Sequence, residues 1–247
     1  MGCQMSDYLT DKIDYRWKVC ILTTAYFPPV SYFVACANSE RVSIELSENY
    51  QKQSYRSRCE IYGANGIQKL SIPISRGGVE GNHSVPIAEV EVDYSSPWIH
   101  NHKKSIESAY KNSPFYDYYA DELFAILDLK PDRLIELNTK LTIKMLEFFS
   151  LADNLQFSSI YINSDQFKNT TNPNSNGTES GGDEIDLREV IQPKYKGEDF
   201  LSQHKMIKPY WQVFNTKQGF IPNLSAIDLL FNEGPDSLSY LRISNQR

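Results

Sequence analysis

Several features that would announce a chemistry are missing from this 247-residue chain. Its four cysteines, Cys3, Cys20, Cys36 and Cys59, include no C-x-x-C pair and no metal-ligand spacing. That argues against a zinc site or a disulfide framework and for a reducing compartment. No apolar run reaches the roughly eighteen residues of a membrane span, and the amino-terminal stretch through Lys18 lacks the apolar core of a signal peptide. No G-x-S-x-G elbow is present. Gly77, Gly78 and Gly81 fit neither the dinucleotide nor the Walker spacing, and a strand-like rather than a helical pattern follows them. The formal charge of −6 offers nucleic acid or an anionic membrane no broad attraction. These absences predict a cytoplasmic protein without a membrane span or a nucleic-acid partner. They name no cofactor and no metal. Met1-Gly2-Cys3 formally fits an acylation pattern, but so short a match recurs by chance.

What the chain does have is core material: 40% of its residues are hydrophobic and 13% aromatic, ample for a packed interior. Val19–Thr24 reads as a buried first strand ending at the turn Tyr26-Phe27-Pro28-Pro29. Val30–Ala37 fits a short helix, and Arg41–Leu46 alternates as a second strand. Cys59–Tyr62 and Gln68–Ile74 flank Gly63-Ala64-Asn65-Gly66, which predicts a hairpin. Ile87–Tyr94 alternates as a further strand of the sheet. Ser96-Pro97 and Ser113-Pro114 each predict a cap followed by a first-turn proline. A third helix begins near Asp132 and buries Leu134, Leu137, Leu141, Met145 and Phe148, at steps of three and four. Gln156–Ile162 reads as a strand, Ser164–Gly182 as a flexible loop too poor in apolar residues to order itself, and Tyr210–Phe214 as a late strand. Ser225–Phe231 is a short helix with a capping-box pattern, Ser225 to Asp228. The expected fold is one α/β domain over 1–247. Its mixed sheet opens on a strand-helix-strand unit, helices pack on it, and a short strand and helix close the chain.

The polar chemistry concentrates in Asn49–Arg58, just beyond the second strand, where ligands sit in α/β folds. Lys52, Arg56 and Arg58 could clamp a phosphate, and Tyr50 and Tyr55 could stack on a base or sugar face. The plain alternative is a solvated basic loop. Taken as surface groups, the arginines should matter for anion binding and little for stability. His102, one turn before Ile106, could act as general acid or base near neutral pH; a satisfied boundary histidine is the alternative. Asn138 lies beside the apolar stripe of its helix, and Asn223 and Asn232 flank the last helix. Each either lines a site or serves the chain locally.

Several segments, in order, resemble the WbqC-like family of bacterial proteins from about residue 18 to 241. They are Tyr26-Phe27-Pro28-Pro29 with Tyr32-Phe33; Glu48-Asn49-Tyr50-Gln51-Lys52-Gln53-Ser54-Tyr55-Arg56-Ser57-Arg58; Trp98, His102 and Ile106; Tyr110 with Pro114-Phe115; Leu137-Asn138; and Gly219-Phe220-Ile221-Pro222-Asn223-Leu224-Ser225 with Asp228-Leu229-Leu230-Phe231-Asn232. The resemblance implies a part in surface polysaccharide (O-antigen-like) biosynthesis. The expectation is a transferase acting on a sugar nucleotide or modified sugar, with a sugar nucleotide or phosphorylated sugar as its small-molecule partner and Tyr26 among the binding groups; the alternative is a noncatalytic binding or assembly protein. Many members carry a His-Gln-Pro-like turn after the first strand. Here that stretch is Leu22-Thr23-Thr24-Ala25, so a histidine used there elsewhere is missing. The expectation is that Asn49–Arg58, His102 and Gly219–Asn232 converge on one pocket.

Overall fold

The computed structural model describes residues 16–75, 85–158, 184–193, 199–204 and 206–242. Cys3 and the Ser164–Gly182 loop expected from composition lie outside them. In chain order the elements are β1 (Trp17–Thr23), α1 (Val30–Ala37), β2 (Ser39–Glu45), β3 (Arg58–Gly63), β4 (Gly66–Ser71), β5 (Ile74–Ser75) and β6 (Glu91–Val92). The long helices α2 (Trp98–Tyr110), α3 (Tyr116–Asp128) and α4 (Leu134–Phe148) follow. After them come β7 (Leu155–Ser158), β8 (Glu184–Asp186), α5 (Phe200–Gln203), α6 (Asn215–Gln218), α7 (Ala226–Glu233) and α8 (Ser237–Leu241).

The central sheet has four parallel strands in the order β7-β2-β1-β8. Strands covered on both faces need apolar residues on both, and Cys20, Ile21 and Leu22 of β1 are accordingly buried in succession. The crossover α1 is buried at all eight positions, which is why it is written in small and apolar residues with no charge. The chain leaves β2, builds the hairpin and three helices, returns as β7 outside β2, and then crosses to β8 on the far side of β1. Strand order therefore reverses at β1.

The antiparallel pairs stand apart as two ribbons, β3-β4 and β5-β6. The expected hairpin forms, with Gly63 opposite Gly66. Gly66 sits at φ +102°, and a Cβ there would also meet the Gln218 side chain at 2.7 Å. In α4, Leu134, Leu137, Leu141 and Met145 are fully buried, as the spacing predicts.

Four expectations need correction. Ile87–Tyr94 is no strand of the central sheet: Ile87–Glu89 makes a short 3-10 turn and only Glu91–Val92 pairs, with β5. Its buried Ile87, Val90 and Val92 pack beside the start of α4, where Leu134 N–H donates to Val90 O at 2.9 Å. Tyr210–Phe214 forms no strand either. Tyr210 and Gln212 are buried about an exposed Trp211, so the alternation reflects side-chain burial and not a ladder. The serines at 96 and 113 cap nothing: Pro97 and Phe115 hold the N-cap positions, without side-chain bonds. At α3 the Phe115 N–H donates instead to Phe231 O at 3.0 Å, and this tertiary bond delays the helix. Lastly, Ser225 makes no side-chain cap bond, and the Asp228 carboxylate turns to Tyr210 and Gln212.

Truncating Leu141 to Ala should cost about 2–5 kcal/mol, the range for a leucine removed from a close-packed core. Lys140→Ala, on the half-exposed face beside it, should stay within about 0.5 kcal/mol. Urea denaturation of both variants checks the pair.

Candidate functional site at the carboxyl end of the sheet

Beyond Thr23 the chain turns through Thr24–Pro29 into α1, and this turn touches most segments singled out by sequence. Asn138 donates through Nδ2 to Thr24 Oγ1 at 3.3 Å and to Arg56 O at 2.8 Å. Tyr26 N–H donates to Tyr55 O at 2.9 Å, and its hydroxyl meets His102 Nδ1 at 2.9 Å. Phe27 is fully buried at φ +41°, a conformation a large side chain takes only when its surroundings impose it. On the other side, Ala226 N–H donates to Pro28 O at 2.8 Å and Val30 N–H to Leu224 O at 2.9 Å. Ser31 N–H donates to Asn223 Oδ1 at 2.9 Å. The amino end of α1, where such folds often hold a phosphate, is thus covered by the protein's own oxygens.

At the rim itself β1, β2 and β8 end side by side, with Thr23 in register with Glu45 and Ile21 with Asp186. Arg56 is only 2% exposed. Its Nε donates to Glu48 Oε1 at 2.9 Å, its Nη2 pairs with Glu48 Oε2, and its Nη1 donates to Gln51 Oε1 at 3.2 Å. Burial pushes the Glu48 carboxyl up, against the pull of Arg56. Arg188, also buried, donates through Nε and Nη2 to the two oxygens of Asp186 at 3.0 and 2.7 Å. Its Nη1 lies 3.7 Å from Glu45 Oε2. The Arg188 side chain therefore bridges the ends of β8 and β2, the strands that flank β1. Gln51 ties this rim to Glu189 at 2.7 Å and accepts from Gln192 at 3.1 Å.

His102 is buried between Trp98 and Tyr26, at ring distances of 5.0 and 5.7 Å. Its Nδ1 meets the Tyr26 hydroxyl, and burial, opposed only weakly by the Ser71 backbone, holds its pKa down at about 4, so the ring is neutral at pH 7. The structure thus gathers Tyr26, Tyr55, Arg56, His102 and Asn138 around one turn. Tyr50 shares a hydrogen with Ser57 Oγ at 2.8 Å. Asn49 and Lys52 are exposed, and Arg58, partly buried, opens β3 opposite Ser71. Asn223 touches the same turn from α1's side, while Asn232 bonds inside its own helix, to Asp228 O at 2.7 Å. Among the described residues no group of three or more His, Cys, Asp or Glu could hold a metal ion.

Sequence reasoning misses Glu45, Glu48, Asp186 and Arg188. A charged residue closing an apolar strand is a readable signal at Glu45. Asp186 closes a strand of only three residues, itself opened by an acid, and Arg188 lies just beyond it; neither carries such a signal. The expectation of Arg56 as a surface group is corrected by its burial and its paired bonds to Glu48.

Two outcomes follow. Arg56→Ala should cost about 3–5 kcal/mol, because it strands a buried carboxylate; thermal and urea unfolding check it. His102 has a folded pKa below its ordinary 6.5, so its contribution is complete above that value and is lost as pH falls toward 4. Between pH 7.5 and 5 the protein should lose about 2 kcal/mol more than its His102→Gln variant does, as paired denaturation curves would show.

The turn, the rim and the aromatic residues around His102 draw on segments spread along nearly the whole chain. The chain is 26% identical over 246 aligned residues to the uncharacterized protein Rv1507c of Mycobacterium tuberculosis, an alignment covering 93% of this chain and 99% of that protein. No solved structure matches it significantly. The WbqC-like protein family matches residues 24–240, and the chain belongs to that family.

Proposed function

We propose that the protein is a transferase of surface polysaccharide biosynthesis, acting in the cytoplasm on a sugar nucleotide or phosphorylated sugar at the carboxyl end of the parallel sheet. The observation that carries this reading is the charged, mostly buried rim of Glu45, Glu48, Arg56, Asp186 and Arg188 at the point where strand order reverses, the place where open α/β sheets receive ligands. Lys52 and Arg58 would meet a phosphate, with Asn49 and Tyr50 beside them. Asn138, whose Oδ1 is buried without a bond, would accept from a ligand group that entered beside Thr24. His102 would exchange protons through the Tyr26 hydroxyl, its one contact toward the turn. No helix among the described residues is long and apolar enough to cross a membrane, in keeping with work on a soluble donor.

A second reading, a noncatalytic binding or assembly protein for the same pathway, has its own support: His102 is buried and its Nδ1 is already engaged by the Tyr26 hydroxyl. Incubation with a panel of sugar nucleotides, with mass detection of products, separates the two. A transferase should turn over at least one donor, and His102→Ala should slow it by roughly 10²–10⁴-fold with binding kept. Binding of a donor without turnover would leave the assembly role. Neither binding nor turnover across the panel would remove both.

A further inference from the structure

Residues Met206–Leu224 cross the molecule as a strap with a single helical turn, α6, and no strand. Two buried groups fasten it. Tyr62 of β3 donates its hydroxyl to Gly219 O at 2.8 Å and Phe214 O at 3.2 Å. The other is Asp228 of α7, fully buried, whose Oδ2 accepts from Tyr210 OH at 2.6 Å and Gln212 Nε2 at 2.8 Å. Gln212 in turn grips Ile221 at both ends: Ile221 N–H donates to Gln212 Oε1 at 2.9 Å, and Gln212 Nε2 donates to Ile221 O at 3.0 Å. Just beyond Ile221, Asn223 covers the Ser31 N–H at the start of α1. The strap also walls a shallow cleft, with Met206, Tyr210, Phe220 and Asn223 lining it together with Val30 and Leu229.

We infer that Asp228 is a pH-sensitive latch that controls whether the strap covers the amino end of α1. The chain of bonds runs from the carboxylate through Gln212 to Ile221 and so to Asn223, and its first link is an acid in a closed apolar setting. The groups that face this acid are acids or neutral. Tyr210 and Gln212 face it from the strap, Tyr110 from α2 and Tyr62 from β3. Glu233 stands near Tyr210 at the end of α7, α8 brings Tyr240 against Tyr210, and α1 brings no charged side chain. Among the described residues no cationic side chain offsets the carboxylate.

Desolvation raises Asp228 from 3.8 to about 6. With the folded value raised, the proton favours the closed strap. The closed form is therefore firmest below the ordinary carboxylate pKa and loosens as pH rises through about 6. An opened strap would return Asp228 toward its ordinary value, expose Tyr210 and Phe220, and free the Val30 and Ser31 N–H groups.

Amide hydrogen exchange of residues 206–224, corrected for the intrinsic pH dependence of exchange, tests this on the full chain. The opening constant reported by Ile221 should rise about tenfold from pH 5 to 7.5, as expected of a carboxyl that titrates at about 6 when covered and at 3.8 when exposed. In Asp228→Asn, which keeps an oxygen acceptor for Tyr210, that dependence should vanish. An equal dependence in the variant, or a flat profile in the wild type, overturns the latch. Should the variant fail to fold, carbon-13 titration of the Asp228 carboxyl in the wild type decides: a midpoint well above the ordinary range is expected, and one at or below 3.8 overturns the inference.

Discussion

The turn from Thr24 to Ser31 carries the backbone out of the sheet and into α1 under deep cover, and every neighbour depends on how its hydrogen bonds are met. A buried amide or carbonyl left without a partner costs about 1–3 kcal/mol. Here the partners come from remote parts of the chain: Tyr55 takes the Tyr26 N–H, Ala226 the Pro28 carbonyl, Leu224 the Val30 N–H and Asn223 the Ser31 N–H. No glycine eases the path, and Phe27 holds a positive φ. The conformation persists only because the hairpin, α4 and α7 clamp it together. That dependence runs both ways, since these elements find one another through this turn.

The ion pairs beside the turn are poor candidates for a purely stabilising role. Bringing charges out of water costs several kcal/mol each, and mutual attraction offsets that only with good geometry. The Arg56–Glu48 and Arg188–Asp186 pairs have such geometry, with two contacts each. Even so, apolar residues of equal volume would have served packing as well or better. Under the proposed function, these pairs would face the hydrogen-bond donors of a ligand, and Lys52 and Arg58 outside them would meet its phosphate.

Periodicity made the frame legible. The apolar run of β1, the charge-free α1, the hairpin glycines and the stripe of α4 are local signals, and each element forms where its residues place it. The failures are equally physical. Ile87–Tyr94 and Tyr210–Phe214 alternate because side chains alternate between interior and surface, which a ladder can produce but so can a loop pinned from outside. Ser225 and Asp228 have the spacing of a capping box, yet Tyr210 and Gln212 offer the carboxylate better partners than the helix end does. Around the turn, the segments that carry the resemblance meet through hydrogen bonds that no local pattern announces. The resemblance could not say which way Arg56 faces. That depends on Glu48, eight residues earlier, and on α4 covering the pair through Asn138.

Two of the buried ionisable groups, His102 and Asp228, give the molecule opposite responses to acid. His102 is held neutral, with its pKa lowered to about 4, so acid works against the fold as pH drops from 6.5 toward that value. Asp228 is raised to about 6, so the same acid favours the fold between that value and 3.8. Their windows overlap almost completely, and in a global unfolding experiment the two contributions largely cancel. The groups lie on different supports, His102 on α2 against Tyr26 and Asp228 on α7 beneath the strap. Only local measurements, or variants that remove one group at a time, can separate a histidine that fixes the turn from an acid that fastens the strap.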